Sequence, residues 1–178
     1  VLVPSDSYLL TFIFISVFLF AVSAAAVSVT VLFFPILLSM VSIIMAIMFV
    51  NPFFYAALFI EICAVACVFM IVDHIYSDIT GALRLISFAS IGVPFILMAG
   101  WQLEMYQVQP DDNQLLLQAS WMLGAGVLIL LAVAPFHSWI PIVARSAPPV
   151  VAAFVIAVVQ AAMFFFLIDM LFEFDWLR

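Results

Sequence analysis

Between Tyr8 and Val72 the chain holds a single side chain that ordinarily carries a charge at neutral pH, Glu61. One straight helix of that length would rise about 100 Å at roughly 1.5 Å per residue, whereas the hydrocarbon core of a bilayer is about 30 Å thick. The run must therefore turn back on itself twice. It shows no clean alternation of apolar and polar residues, and long apolar runs without strand edges favour helices over a barrel.

Composition extends the constraint to the whole chain. Of its 178 residues, 70% are hydrophobic and 7% charged, against roughly 45–50% and 25% in a soluble domain. Such a chain cannot cover its own surface with polar groups, which excludes a soluble monomer. Three arginines and no lysine exclude a nucleic-acid partner, because they cannot neutralise a run of phosphates. Two cysteines exclude a disulfide scaffold, and the scarcity of polar sequence excludes disorder.

The expected fold class is all-α, one polytopic transmembrane bundle of about six spans over residues 1–178. Local breaks at Val27-Ser28-Val29-Thr30 and Asn51-Pro52, with polar or Pro-rich stretches at 73–82, 104–114 and 136–149, place helices at about 8–28, 31–50, 53–72, 83–102, 115–135 and 149–172. Pro35 and Pro94 fall inside apolar runs, where a bundle can compensate the lost hydrogen bonds. Six spans put both termini on one side. Arg84, Arg145, His74 and His137 then lie opposite the acidic Asp6, Glu104, Asp111, Asp112, Glu173 and Asp175, a side whose only base is Arg178. The positive-inside rule makes the arginine side cytoplasmic and both termini non-cytoplasmic. The localisation expected is an integral, multi-pass protein of a bacterial plasma membrane or an organelle's energy-transducing inner membrane.

Three places could carry chemistry. Glu61 lies well inside its expected helix, where a carboxyl is costly and should face the bundle or a water cavity; Ala57 and Ala64 beside it would let another helix approach. It is either a proton or ion site or a protonated side chain bonded across helices. The string Pro135-Phe136-His137-Ser138-Trp139-Ile140-Pro141 is either an interfacial turn, with Trp139 at headgroup level, or a broken helix whose freed carbonyls and His137 border a polar path. Gln160 is the one strongly polar residue in mid-helix there, beside Ala153, Ala157 and Ala161, a close-packing face; a hydrogen bond between helices is its ordinary role. Cys63 and Cys67 are one turn apart and suit packing, since two sulfurs close no metal site. No catalytic residue, metal site, bound cofactor or small-molecule substrate is expected.

The Pro135-Phe136-His137-x-Trp139-x-Pro141 string, followed by Ala147-Pro148, resembles the antiporter-like, proton-pumping membrane subunits of respiratory complex I. These subunits are related to the Mrp sodium/proton antiporters and the membrane-bound hydrogenases. Gly81-Ala82-Leu83-Arg84 opening a helix, with Glu61 one helix earlier, follows the same order. The resemblance covers about residues 31–170 and implies that the six spans correspond to the third to eighth of about fourteen. It also implies that Glu61 stands for a carboxylate that pairs with a lysine of the seventh helix, with a further protonatable residue in the eighth. Those two positions are Leu130 and Gln160 here, and Ile142 stands where an Asp commonly follows the second Pro. Leu130 exchanges no proton, and Gln160 can only relay hydrogen bonds.

The reading that follows is a membrane-arm subunit, or a fragment of one, of a complex I-type NADH:quinone oxidoreductase with an incomplete proton path. Its partners would be other integral membrane subunits and lipids, with flavin and iron–sulfur clusters held elsewhere. The alternative is a non-transporting scaffold of another membrane complex, such as a photosynthetic or quinol-oxidising assembly.

Overall fold

The computed structural model describes residues 4–27, 32–50, 54–72, 78–108 and 113–173. The described residues are helical and contain no strand. In chain order they form α1 (Pro4–Val27), α2 (Phe33–Phe49), α3 (Phe54–Ile71), α4 (Thr80–Val108) and α5 (Asn113–Leu130). A short 3-10 turn (Phe136–Ser138) leads into α6 (Trp139–Ser146). A last rod follows, made of α7 (Pro149–Phe154), a π-helical turn (Val155–Val159) and α8 (Gln160–Glu173). The expected breaks at Ser28–Thr30 and Asn51–Pro52, together with His74 and Asp111–Asp112, lie outside the described residues.

Three helices are long and apolar enough to cross a membrane, over Leu10–Val27, Thr80–Tyr106 and Pro149–Ile168. The other long helices are equally apolar but shorter, with 17 residues in α2 and 18 each in α3 and α5. At about 1.5 Å per residue they rise roughly 25–27 Å, a few ångströms less than a bilayer core.

Several boundaries differ from those expected. The helix placed at 83–102 runs over Thr80–Val108, because Asp78 starts it earlier: the Thr80 amide and hydroxyl both donate to Asp78 Oδ1, at 2.9 and 2.5 Å. Such bonds occupy amides that a helix start leaves without partners. They also hold the exposed Asp78 carboxyl below its ordinary value, the Thr80 hydroxyl contributing most and its amide next. The helix placed at 115–135 ends at Leu130, and the Pro-rich divider holds the 3-10 turn and α6. Pro35 lies in the first turn of α2, where its missing N–H costs nothing.

The core is built on a seven-residue rhythm. In α2 the buried residues are Phe33, Leu37, Met40, Ile44 and Ile47, alternating steps of four and three. In α3, Ala56, Ile60, Cys63, Cys67 and Met70 repeat the pattern. This is the spacing that lets helices pack side by side at a small angle. Cys63 and Cys67 are buried as packing residues, and Ala57 and Ala64 are buried beside Glu61. The helices α4 and α5 approach closely. A Cβ at Gly126 would lie 3.0 Å from the Gly92 carbonyl oxygen, and one at Gly92 would lie 3.0 Å from Leu130 Cγ. Glycine at both crossing points lets the backbones meet.

The helix α1 differs. Among its described residues it buries only Ile13 and Ala24 fully, and two of its rings meet the last rod, Phe20 edge-on to Phe154 at 5.5 Å and Phe12 tilted against Phe165 at 6.1 Å. Phe14, Phe18, Leu19 and Val22 are all more than half exposed. Ala153 and Ala157, expected on a close-packing face, are also exposed, and Ala161 is half-buried. The π-helical turn carries Val155, Val158 and Val159 inward instead.

Candidate functional site

The most unusual backbone in the described residues is the stretch that stops α5. Ala132 has φ 53°, a left-handed conformation that ordinarily calls for glycine. Around it the Val133 amide donates to the Leu128 carbonyl at 3.0 Å and the Ala132 amide to the Ile129 carbonyl at 3.1 Å. This pair of bonds ends a helix and satisfies two of its last four carbonyls. The Leu130 carbonyl belongs to the same terminal turn, and no amide of the turn accounts for it. It accepts instead from Gln160 Nε2, 3.2 Å away on the last rod. The π-helical turn immediately before Gln160 shifts the register of that rod, and such turns recur at functional sites. A polar side chain is thus spent on closing a helix end that would otherwise leave a carbonyl bare in apolar surroundings.

A cavity of about 40 Å³ adjoins this bond, large enough for a water molecule. Its wall includes Ile60, Ala64 and Cys67 of α3, Phe88 and Ala89 of α4, and Leu130, Trp139 and Gln160. Trp139 is 3% exposed and packs in the core, whereas Trp101 and Trp121 are the exposed tryptophans among the described residues. Phe136 packs edge-on to Phe88, with ring centres 6.4 Å apart. Phe136 and Trp139 thus anchor the break against α4 beside Phe88. The Ala134–Pro135 peptide bond within it is cis. Pro135 and Pro141 are exposed, as is His137 on the 3-10 turn, and His137 is not part of the cavity wall.

Glu61 sits on the other side of the α3–α4 seam. Ser90 donates its hydroxyl to Glu61 Oε1 at 2.5 Å, while Glu61 Oε2 is shielded and has no hydrogen-bond partner. Ser23, Ser39, Ser42, Ser87 and Ser120 turn their hydroxyls back onto carbonyls of their own helices; Ser90 reaches across instead. Its own carbonyl is one that Pro94, four residues on within α4, cannot serve with an N–H. Ser90 and Phe88 are two residues apart, so both hydrogen bonds lie within about 3 Å of one depth.

The structure thus brings Leu130, Gln160 and Trp139 together, places Glu61 beyond the cavity wall, and leaves His137 at the surface. The residue that sequence reasoning missed is Ser90, one apolar-helix serine among many. Its only sequence signal is the proline one turn later. Chemically, the site offers one carboxyl able to exchange a proton and one amide able to hold a carbonyl or a water. Comparison with protein-family models, with curated proteins and with solved structures finds no match to this chain.

Proposed function

We propose that the chain is a membrane-arm subunit, or part of one, of a complex I-type proton-translocating NADH:quinone oxidoreductase or a related ion-pumping complex, with an incomplete proton path. In this reading it crosses the membrane six times, α2, α3 and α5 meeting the thickness by local thinning of the bilayer, with both termini non-cytoplasmic. The observation that carries it is the bond from Gln160 to the Leu130 carbonyl. The two positions that the resemblance aligns with proton-carrying residues meet here at a helix break, yet neither side chain titrates. Glu61 keeps a carboxyl at that depth without a cation among the described residues to pair with it. The chain itself holds no cofactor and turns over no substrate; it packs against other membrane subunits.

The second reading, a non-transporting scaffold of a photosynthetic or quinol-oxidising complex, draws on the same pair: Leu130 and Gln160 suit structure better than transfer. Purification of the native complex separates the two. Partners carrying flavin and iron–sulfur clusters support the first reading, and partners carrying pigment or haem overturn it in favour of the second. Within a pumping complex, Glu61→Gln is expected to leave proton translocation nearly unchanged. A large loss with assembly intact would show that the carboxyl works and the path is complete.

A further inference from the structure

The described residues carry two permanently cationic side chains, Arg84 and Arg145, on a chain of formal net charge −7. Both are exposed, and among the described residues neither has an acidic partner. They belong to one place. A Cβ at Gly81 would collide with Ser146 Oγ and lie 3.0 Å from Val143 Cα, so the start of α4 abuts the end of α6. Leu85 and Phe88 share a cavity wall with Trp139 at the start of α6, so the two helices run antiparallel. At about 100° per residue, Arg84 is turned some 60° from Gly81 and Arg145 some 100° from Ser146, in the same rotational sense. In an antiparallel pair the same sense falls on the same side of the seam.

Depth points to the occupant. The 29 residues of α4 rise about 43 Å, some 13 Å more than a bilayer core. If that excess is shared between the ends, Arg84, about 6 Å from the start of α4, stands where hydrocarbon meets headgroups. Two turns further in on the same face, Ile91 is 54% exposed and offers apolar surface to an acyl chain. Pro141 and Ala144, exposed on α6 near Arg145, leave room beside the guanidinium. Arginine forks match phosphate oxygens, and long side chains at this level extend toward the headgroups.

We propose that Arg84 and Arg145 together bind the phosphate of an anionic membrane lipid on the outer side of the α4–α6 seam. The proposal rests on the membrane-spanning character of the chain and not on its place in a complex I-type assembly. The test is native mass spectrometry of the full chain released from detergent, with phosphatidylglycerol or phosphatidylcholine added in turn. Phosphatidylglycerol is expected to be retained preferentially. Arg84→Gln and Arg145→Gln should each weaken retention roughly fivefold and the double variant about twenty-five-fold, with Arg→Lys variants intermediate and 20-fold excess inorganic phosphate displacing little. Equal retention of both lipids, or wild-type retention by a folded double variant, overturns the proposal. So does complete displacement by inorganic phosphate, which marks a free-anion site. In the native assembly, a cross-link from Ala144→Cys, which leaves both arginines in place, to an acidic segment of a neighbouring subunit, with no lipid retained, overturns it in favour of a protein contact. The lysine variants and the circular dichroism of each preparation separate loss of binding from loss of fold.

Discussion

Two of the hydrogen bonds that cross this bundle lie at nearly the same depth, and they differ in what each leaves undone. At the α3–α4 seam Ser90 donates to Glu61, a group that can take up or release a proton, and one carboxyl oxygen is left shielded without a partner. At the end of α5, Gln160 donates to Leu130, a group that cannot titrate, and a carbonyl freed by a helix break is satisfied. The first site holds a carboxyl with no cation beside it among the described residues; the second holds only groups that do not titrate and closes a backbone. A buried carbonyl without a donor costs about 1–3 kcal/mol, which is reason enough for a glutamine at that position.

The largest test of this contrast removes the packing that positions both bonds. Gly126→Ala sets a methyl 3.0 Å from the Gly92 carbonyl oxygen and 2.9 Å from Ile96 Cγ1. Overpacking of this kind costs about 1–3 kcal/mol, and backbone oxygen yields less than a flexible side chain. A drop of several degrees in thermal midpoint in detergent is expected. Gly124→Ala, which meets nothing within 4 Å, should be neutral or slightly stabilising.

Next in size, Gln160→Leu leaves the Leu130 carbonyl without its donor and should cost about 1–3 kcal/mol. Hydrogen exchange should rise selectively over 128–136 while α2 and α3 stay protected. Uniform exchange across the bundle would mean that Gln160 supports general packing rather than the break.

A smaller effect is expected at the other bond. Ser90→Ala strips Glu61 of its donor and should cost on the order of 1 kcal/mol. Glu61→Gln keeps a hydrogen-bonding side chain and should cost less than Ser90→Ala in the same unfolding assay. The reverse order would show that the charge itself, not the bond, holds the seam.

The smallest effect lies outside the membrane. The folded Asp78 carboxyl is held below its unfolded value, so its stabilising bonds to Thr80 are fully present above about pH 4. They fade as pH falls through the lower folded value. Asp78→Ala should fray the start of α4 at neutral pH and flatten the acid dependence of its helicity. A slope between pH 4 and 2 identical to wild type would remove Asp78 as its source.

Much of the fold was legible because apolar length and heptad spacing are local properties. The run containing Glu61 has to fold back, and the small Ala57 and Ala64 beside it are buried. The end of α5 was not legible. Nothing in Leu-Ala-Val-Ala marks a left-handed turn at Ala132, since the usual signal is glycine, and the apolar pattern runs five residues past the end of α5 at Leu130. The small residues Ala153 and Ala157 are exposed within this chain. Their spacing describes a face of the helix but not which neighbour it meets.

By itself the sequence determined that this chain is helical and apolar enough for a membrane, and that Glu61, Gln160 and the Pro135–Pro141 string are its unusual residues. These follow from residue chemistry and spacing, which need no neighbours to act. Only the tertiary structure decided that Gln160 caps the broken end of α5, that Ser90 answers Glu61, and that His137 stays outside the cavity. A hydrogen bond between residues 29 or 30 positions apart exists only once helix packing has fixed which polar groups are left without partners and which side chains lie within reach.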